Sequence, residues 1–500
     1  MKPRARLLLC VFAIALGGAI VGIDTGLIAT TINQDAFNEY MFPPGTTNAS
    51  SLLGAIVSLG NAGNVIGSLI LGFSLEKLGR KNTVAVATFF TIIGAVMQTA
   101  ANGVALMIVG RLVAGIAVGM LNGGLPVYIS ELAVASERGR LVGIFGLMIA
   151  LGFCIANWIG YGCSYATGNT SWRLELAMQI PVAVILLVLT FWIPESPRWL
   201  AEKERFEDFQ ATLRRLYGDQ DEGALARTAV EIREQIAFEQ STRTNTGFGH
   251  AMLELFNKKN IRRTAIATAV LQVGVLSGSL AIQNYQSLLY SALGYTGKRS
   301  LLISGLYGLM GVAGQLINLA GVSDRWSRVK TMWIGCAILA CMLAILTALS
   351  AEYGDGQDAN GARAGVAAIF LYSAIYAVFF NSTLFTIAAE MFPLHLRGYG
   401  VGFSVMCQGI SSIWLSQITP YAFDAINWKY YFVFIGCLIA LGIFYFFFLQ
   451  ETNQVSLEQI AGRYGDETVT VDKAHMEQVE LGEAPVAGDE TTVNRTDVAE

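Results

Sequence analysis

The sequence predicts an all-α membrane protein of twelve spanning helices in two six-helix halves, and three observations predict it. Composition is the first: 54% of the 500 residues are hydrophobic and 14% are charged, against about 25% charged in a soluble domain. Lipid must therefore serve as solvent. The second is spacing, since mostly apolar stretches of 18 or more residues recur twelve times, six on each side of a polar segment. The third is an internal echo. Glu76-x3-Arg80 returns as Asp324-x3-Arg328, Glu131 and Arg138 return as Glu390 and Arg397, and Glu195-Ser-Pro returns as Glu451-Thr-Asn, at offsets of roughly 250 to 260 residues.

Taken in order, Lys2, Arg4 and Arg6 lead into an apolar run that reaches Thr31, too long for a signal peptide, so it reads as span 1. Spans 2 to 6 fall near 51–74, 83–101, 104–127, 141–163 and 174–193. Spans 7 to 12 fall near 264–291, 300–323, 331–350, 364–389, 398–423 and 428–449. The domain expectation is a bundle over 1–193, a cytoplasmic linker over 194–263, a second bundle over 264–449 and an acidic tail over 450–500. Helix-compatible stretches at 202–217 and 225–240 mark the linker. The tail from Asp466 carries ten acids against two bases and reads as disordered. Lys and Arg collect before span 1, in 72–82, at Arg138 and Arg140, in the linker, in 325–330 and at Arg397, which places both termini and the linker in the cytoplasm. The sequons at Asn48 and Asn169 then lie outside. Seven scattered Cys and three His give no disulfide framework and no metal set. No cofactor is expected. The expected partners are a small-molecule substrate, protons and the lipid bilayer, with no nucleic acid, and the working unit is a monomer, read as lying in the plasma membrane.

Two charges stand inside the membrane. Asp24 in span 1 and Arg111 in span 4 each lie about seven residues from the outer end, some 10 Å deep, so they can pair. An acid held between protonation and an Arg partner suits proton coupling; a permanent buried ion pair is the alternative. The echoed residues Arg80, Glu131, Arg138, Glu195, Arg328, Glu390, Arg397 and Glu451 gather at one membrane face, where opposite charges on different helices can latch it shut. Positive-inside anchoring is the plainer reading. The pairs Gly63-x3-Gly67, Gly115-x3-Gly119 and Gly398-x3-Gly402 read as close helix contacts.

The chain resembles the sugar porter family of the major facilitator superfamily, of the fungal kind, from about residue 17 to 460. The resemblance rests on Gly22-Ile-Asp-Thr-Gly26, Glu76-x3-Arg80-Lys81, Gly110-Arg-Leu112 with Gly115, and Pro126-x-Tyr128-x-Ser130-Glu131. It continues in Arg138-Gly139, Pro194-Glu-Ser-Pro-Arg198-Trp199-Leu200 and Glu390-x2-Pro393 with Arg397. It implies two six-helix bundles, alternating access, passage of sugars or polyols, and Asp24 as the coupling group of a proton symporter. Facilitated diffusion stays open beside it, as does a nutrient sensor on the same scaffold. An enzyme is not expected.

The departures concentrate where the family binds sugar. Its span 5 glutamine falls on Gly146, its span 7 Gln-Gln-Leu-Ser-Gly-Ile-Asn on Gly274 to Leu280, its span 10 tryptophan on Phe385, and its span 11 Trp and Asn on Gly409 and Ser412. Each sugar hydroxyl leaving water must be repaired at the site. Gln283, Asn284, Asn381, Phe385, Gln408 and Ser412 are the replacement candidates, with Gln272, Gln315, Asn318, Gln417 and Asn157 behind them. Interhelical hydrogen bonding competes with ligand contact for each amide. A polyol, cyclitol, quinate-like acid, disaccharide or specialised metabolite then competes with a hexose as substrate.

Overall fold

A computed structural model of the chain describes residues 3–217 apart from 45, 47 and 135, then 229, 236, 247–286, 289–290, 294–295, 297–353, 359–455, 460 and 462–464. The expected linker helix at 225–240, apart from Ala229 and Ile236, and the acidic tail from Asp466 lie outside these residues. Among the described residues every regular element is helical.

In the first half, span 1 is Pro3–Thr31, span 2 Ala49–Lys77, span 3 Arg80–Thr99, span 4 Val104–Leu132 and span 5 Arg138–Cys163. Span 6 runs through Thr170–Ala177 and Gln179–Leu189. In the second half, span 7 is Ile261–Leu276 with Ser279–Asn284. Span 8 is Lys298–Ile317 with a π turn over Asn318–Val322, and span 9 is Arg328–Tyr353. Span 10 is Ala359–Phe379 with Thr383–Glu390, span 11 is Leu394–Ile426, and span 12 is Tyr431–Phe448 after a 3-10 turn at Asn427–Tyr430. Eleven of these are long and apolar enough to cross a membrane. Span 11, at 33 residues, is long enough, but Gln408, Gln417 and its serines dilute it.

Spans 3, 5 and 9 begin on Arg80, Arg138 and Arg328, so their first turns put a cation against the positive end of the helix dipole. A carboxylate relieves each. Glu195 accepts the backbone N–H of Arg80 at 2.9 Å and of Lys81 at 3.2 Å. Asp324 accepts that of Arg140 at 2.8 Å, and Glu451 that of Arg328 at 2.9 Å. The turn before span 3 uses Gly79 at φ +88°. Its counterpart before span 9 has Ser327 in that place, and the left-handed residue is instead Asp324 at φ +59°.

Span 1 packs on span 5 and span 2 on span 4 within the first half, as span 7 does on span 11 and span 8 on span 10 within the second. The halves meet along two equivalent seams, span 2 against span 11 and span 5 against span 8. The linker adds short helices at Pro197–Glu202, Phe206–Tyr217 and Phe248–Glu254. Ser196 opens the first of these, its hydroxyl accepting the N–H of Trp199 with Pro197 in the first turn. Between spans 1 and 2 lies a further helix, Asp35–Met41, that the apolar pattern does not announce.

Candidate functional site

Between the halves lies a cavity of about 480 Å³, open solvent at its mouth included, walled by spans 1, 5, 7, 8 and 10. Its polar lining is Thr25, Gln283, Tyr307, Ser373, Tyr376 and Asn381, and Phe153 meets Tyr307 edge to face at 6.0 Å. No charged side chain is among its lining residues.

Of the six candidates for substrate contact, Gln283 and Asn381 line this cavity and four do not. Asn284 is buried elsewhere, and Phe385 packs edge to face on Phe145 at 5.5 Å. Gln408 donates its amide to the Leu271 carbonyl at 2.9 Å, and the Ser412 hydroxyl donates to the Gln408 carbonyl one turn back. The missing side chains of span 5, span 7 and span 11 leave no holes. A Cβ on Gly146 would meet Ser382 Cβ at 2.7 Å, one on Gly274 would meet Gln408 Nε2 at 2.7 Å, and one on Gly409 would meet Val65 Cγ2 at 2.9 Å. Neighbouring helices have moved into the room those side chains take.

Where Gly146 lets span 10 approach, amides of the second half grip the span 5 backbone. Asn381 Nδ2 donates to the Gly146 carbonyl at 2.8 Å, and Gln315 Nε2 to that of Gly143 at 3.2 Å. Gln315 also donates to the Ser382 hydroxyl at 3.1 Å, and Asn318 to the Val378 carbonyl. Asn381 thus serves both the cavity wall and the seam. Gln417 donates to Ser58 at 2.6 Å and Gln286 to Asn157 at 3.0 Å across the other ends of the seams. The lining residues absent from the sequence reading are Thr25, Tyr307, Ser373 and Tyr376. The two intramembrane tyrosines were the available signal, since a buried phenol seeks a partner.

Behind the span 1 wall, Arg111 Nη1 donates to Asp24 Oδ1 at 2.8 Å, both side chains buried. The pair links spans 1 and 4 inside the first half. Gly22 and Thr25, on either side of Asp24 in sequence, face the cavity.

At the end of the molecule that carries the linker, the echoed charges form a crossed latch. Arg80 binds Glu131 through two parallel hydrogen bonds of 2.7 and 2.8 Å within the first half. In the second half Arg328 lies 3.9 Å from Glu390 and 3.5 Å from Asp324. Arg397 to Glu131 and Arg138 to Glu390, each at 3.5 Å, cross between the halves, and so does Arg140 to Asp324 at 4.0 Å. The hydroxyls of Ser196 and Thr452 complete the pattern, donating to Glu131 at 2.5 Å and Glu390 at 2.7 Å. These two equivalent hydroxyls follow Glu195 and Glu451 directly in sequence. Glu195 and Glu451 themselves act on helix N-termini, and among the described residues neither forms an ion pair with an Arg side chain. Burial pushes the Glu195 carboxyl above its ordinary value, and the N–H groups of Ser196, Lys81 and Arg80 with the Arg80 charge only partly offset it. Burial also raises Glu451, but the Ser327 hydroxyl and the N–H groups of Arg328, Asn453 and Val329 bring it below the ordinary value.

Among the described residues no group of three His, Cys, Asp or Glu gathers as a metal site.

Comparison with known proteins places this geometry. The sugar (and other) transporter family matches residues 10–464. The MFS-type transporter criB of Aspergillus cristatus is 30% identical, with 94% of this chain and 96% of that protein aligned. A quinate permease of Neurospora terricola is 30% identical over 91% of this chain and 88% of its own length. A high-affinity glucose transporter of Kluyveromyces lactis is 27% identical over 90% and 83%. Among solved structures, the proton:xylose symporter XylE bound to 6-bromo-6-deoxy-D-glucose superposes with a TM-score of 0.82 at 21% identity, covering 92% of this chain and all of that one. This likeness fixes the fold as the twelve-helix transporter fold.

Proposed function

The chain belongs to the sugar (and other) transporter family, and we propose on that premise that it moves a neutral, sugar-like solute by alternating access coupled to proton symport. The linker end faces the cytoplasm with both termini, the membrane is the plasma membrane, and the protein works as a monomer. Asp24 is the coupling acid in this reading, and the observation that carries it is the buried Asp24–Arg111 pair set directly behind the cavity wall. Proton entry neutralises Asp24, frees Arg111 and changes how span 1 packs against span 4, biasing the cavity toward one side. Crossed pairs at the linker end hold the cytoplasmic face closed until then.

The substrate is not a plain hexose in the second part of the proposal. The cavity offers Thr25, Gln283, Ser373 and Asn381 as small polar contacts against Phe153, Tyr307 and Tyr376. Such a wall suits a ring with few hydroxyls, as in a specialised metabolite, better than a hexose or cyclitol with many hydroxyls in need of repair. Among the described lining residues no cation is placed to meet a quinate-like carboxylate.

A panel of hexoses, polyols, cyclitols and phenolic rings, supplied to transporter-deficient cells while intracellular pH is recorded, tests both parts. The expected result is acidification with a neutral low-hydroxyl solute, abolished in Asp24→Asn while exchange of labelled for unlabelled substrate continues. Acidification unchanged in Asp24→Asn would falsify the coupling role, and binding without flux would make the protein a sensor.

A further inference from the structure

We propose that Glu175, in the outer part of span 6, is a second proton-exchanging carboxyl of the cycle, standing between the outer surface and Asp24. The inference rests on the symport reading above. Glu175 is wholly buried, and the Thr30 hydroxyl donates to one carboxyl oxygen and the Gln34 amide to the other. Both partners are neutral. Its neighbour Arg173 is turned away, donating to the Ala101 carbonyl at 3.1 Å and lying 5.0 Å from the Trp172 ring and 5.5 Å from that of Tyr40.

The groups around it come from four elements. Span 1 presents Thr30 and, six residues deeper, Asp24. Span 5 presents Gly160 and the Cys163 thiol. The helix Asp35–Met41 carries Asp35, Glu39 and Tyr40 on its exposed side, and the last two turns of span 3 contribute the amide of Gln98 and no titratable group. Among the described residues no ion pair compensates a charge on Glu175, so ionisation there is costly and a proton is held for part of the time.

The hydrogen-bond partners accommodate both states. The Thr30 hydroxyl also lies 3.0 Å from the Gly26 carbonyl and 3.1 Å from that of Leu27. It therefore donates to the carboxylate when Glu175 is ionised, and to span 1 when the acid O–H donates to it. The Gln34 carbonyl oxygen is buried without a partner, as are both amide atoms of Gln179, one turn further along span 6. Rotation of the Gln34 amide offers an acceptor to the acid proton. A carboxyl served in both states suits transfer better than storage.

Transfer balances as one acid–base exchange. Glu175–COOH gives its proton, relayed by water, to Asp24–COO⁻, leaving Glu175–COO⁻ and Asp24–COOH. A proton from the outer solution then restores Glu175. Six residues of span 1 separate Thr30 from Asp24, about 9 Å of rise along the helix, the least that the relay would have to span.

Substrate-driven acidification and substrate exchange, measured from external pH 5 to 8 in wild type, Glu175→Gln and Thr30→Val, test this. Glu175→Gln is isosteric with the protonated acid. The expected result is a loss of coupled uptake of about tenfold or more with a flattened pH profile, while exchange, which needs no net proton transfer, persists. Wild-type uptake and pH profile in a surface-expressed Glu175→Gln overturn the inference and leave a structural neutral acid. If Glu175→Gln does not reach the membrane, Thr30→Val keeps the carboxyl and removes one donor: a displaced pH midpoint supports the inference, an unmoved one overturns it. Absence of acidification in wild type itself brings down the symport reading and this inference with it.

Discussion

Glu195 and Glu451 occupy matching places on the N-termini of spans 3 and 9, yet their carboxyls are pushed in opposite directions. Glu195 is raised, so its carboxylate is a net cost at neutral pH that eases as pH falls through the raised value. Glu451 is lowered, so its contribution is complete above the ordinary carboxylate value and is lost only as pH falls through the lowered one. Thermal unfolding in detergent should show this. Glu451→Gln lowers the melting temperature throughout pH 5 to 8, whereas Glu195→Gln compares more favourably with wild type at pH 8 than at pH 5. A Glu195→Gln deficit that grows with pH would contradict the assignment. That the echoed acids and arginines gather at one end was legible in the sequence because a charge between apolar spans has few places to go, and because the pattern occurs twice. Of the polar cavity side chains only Gln283 and Asn381 were. Whether Gln408 meets ligand or fills the room at Gly274 depends on how far span 11 has moved toward span 7, and no single position records that shift. Glu175 escaped for another reason: the expected span begins near 174 and leaves this acid at its very edge, and only the fold shows that the helix already begins at Thr170.

Helix pairs carry the next distinction. Gly63 and Gly67 meet the backbone of Leu112 to Ile116, so spans 2 and 4 are locked within one half. Gly402 instead meets span 2 across the seam, where a Cβ would stand 2.5 Å from the Ser68 carbonyl oxygen. All three GxxxG pairs look alike in the sequence, and only the partner helix tells a rigid joint from a sliding one. Overpacking costs about 1–3 kcal/mol, but it should appear differently at the two places. Gly63→Leu lowers the yield and melting temperature of the folded protein. Gly402→Leu leaves folding near wild type and biases the halves apart at the seam by about 5- to 150-fold, read as increased labelling of a cysteine placed on the cavity floor and approached from the linker end. Equal losses of stability in the two variants would mean that the seam is as rigid as the bundle.

Under the proposed alternating access a latch must part without abandoning its charges, and the crossed arrangement would supply this unevenly. Glu131 keeps its two short bonds to Arg80 whether or not Arg397 departs, so the first half stays compensated when the face opens. Glu390 has Arg328 at 3.9 Å and the Thr452 hydroxyl at 2.7 Å, a looser holding, with Asp324 drawing on the same arginine. The Arg397–Glu131 and Arg138–Glu390 contacts both measure 3.5 Å, longer than the bonds within the first half, as the proposed cycle would ask of contacts that break. The fold class and the gathering of these charges were readable because of the twelve apolar spans and the doubled charge pattern, but this inequality needs the distances. It predicts unequal variants. Arg397→Gln frees the latch while Glu131 remains paired, so it should open the linker end with little loss of melting temperature. Arg138→Gln opens the same end and leaves Glu390 poorly compensated in a buried place, which costs about 1–3 kcal/mol more. Cysteine labelling from the linker side reads the opening, and thermal unfolding of both variants reads the cost. Equal stability in the two would show that the second half holds its acid as firmly as the first, and that the drift in its latch has no energetic consequence.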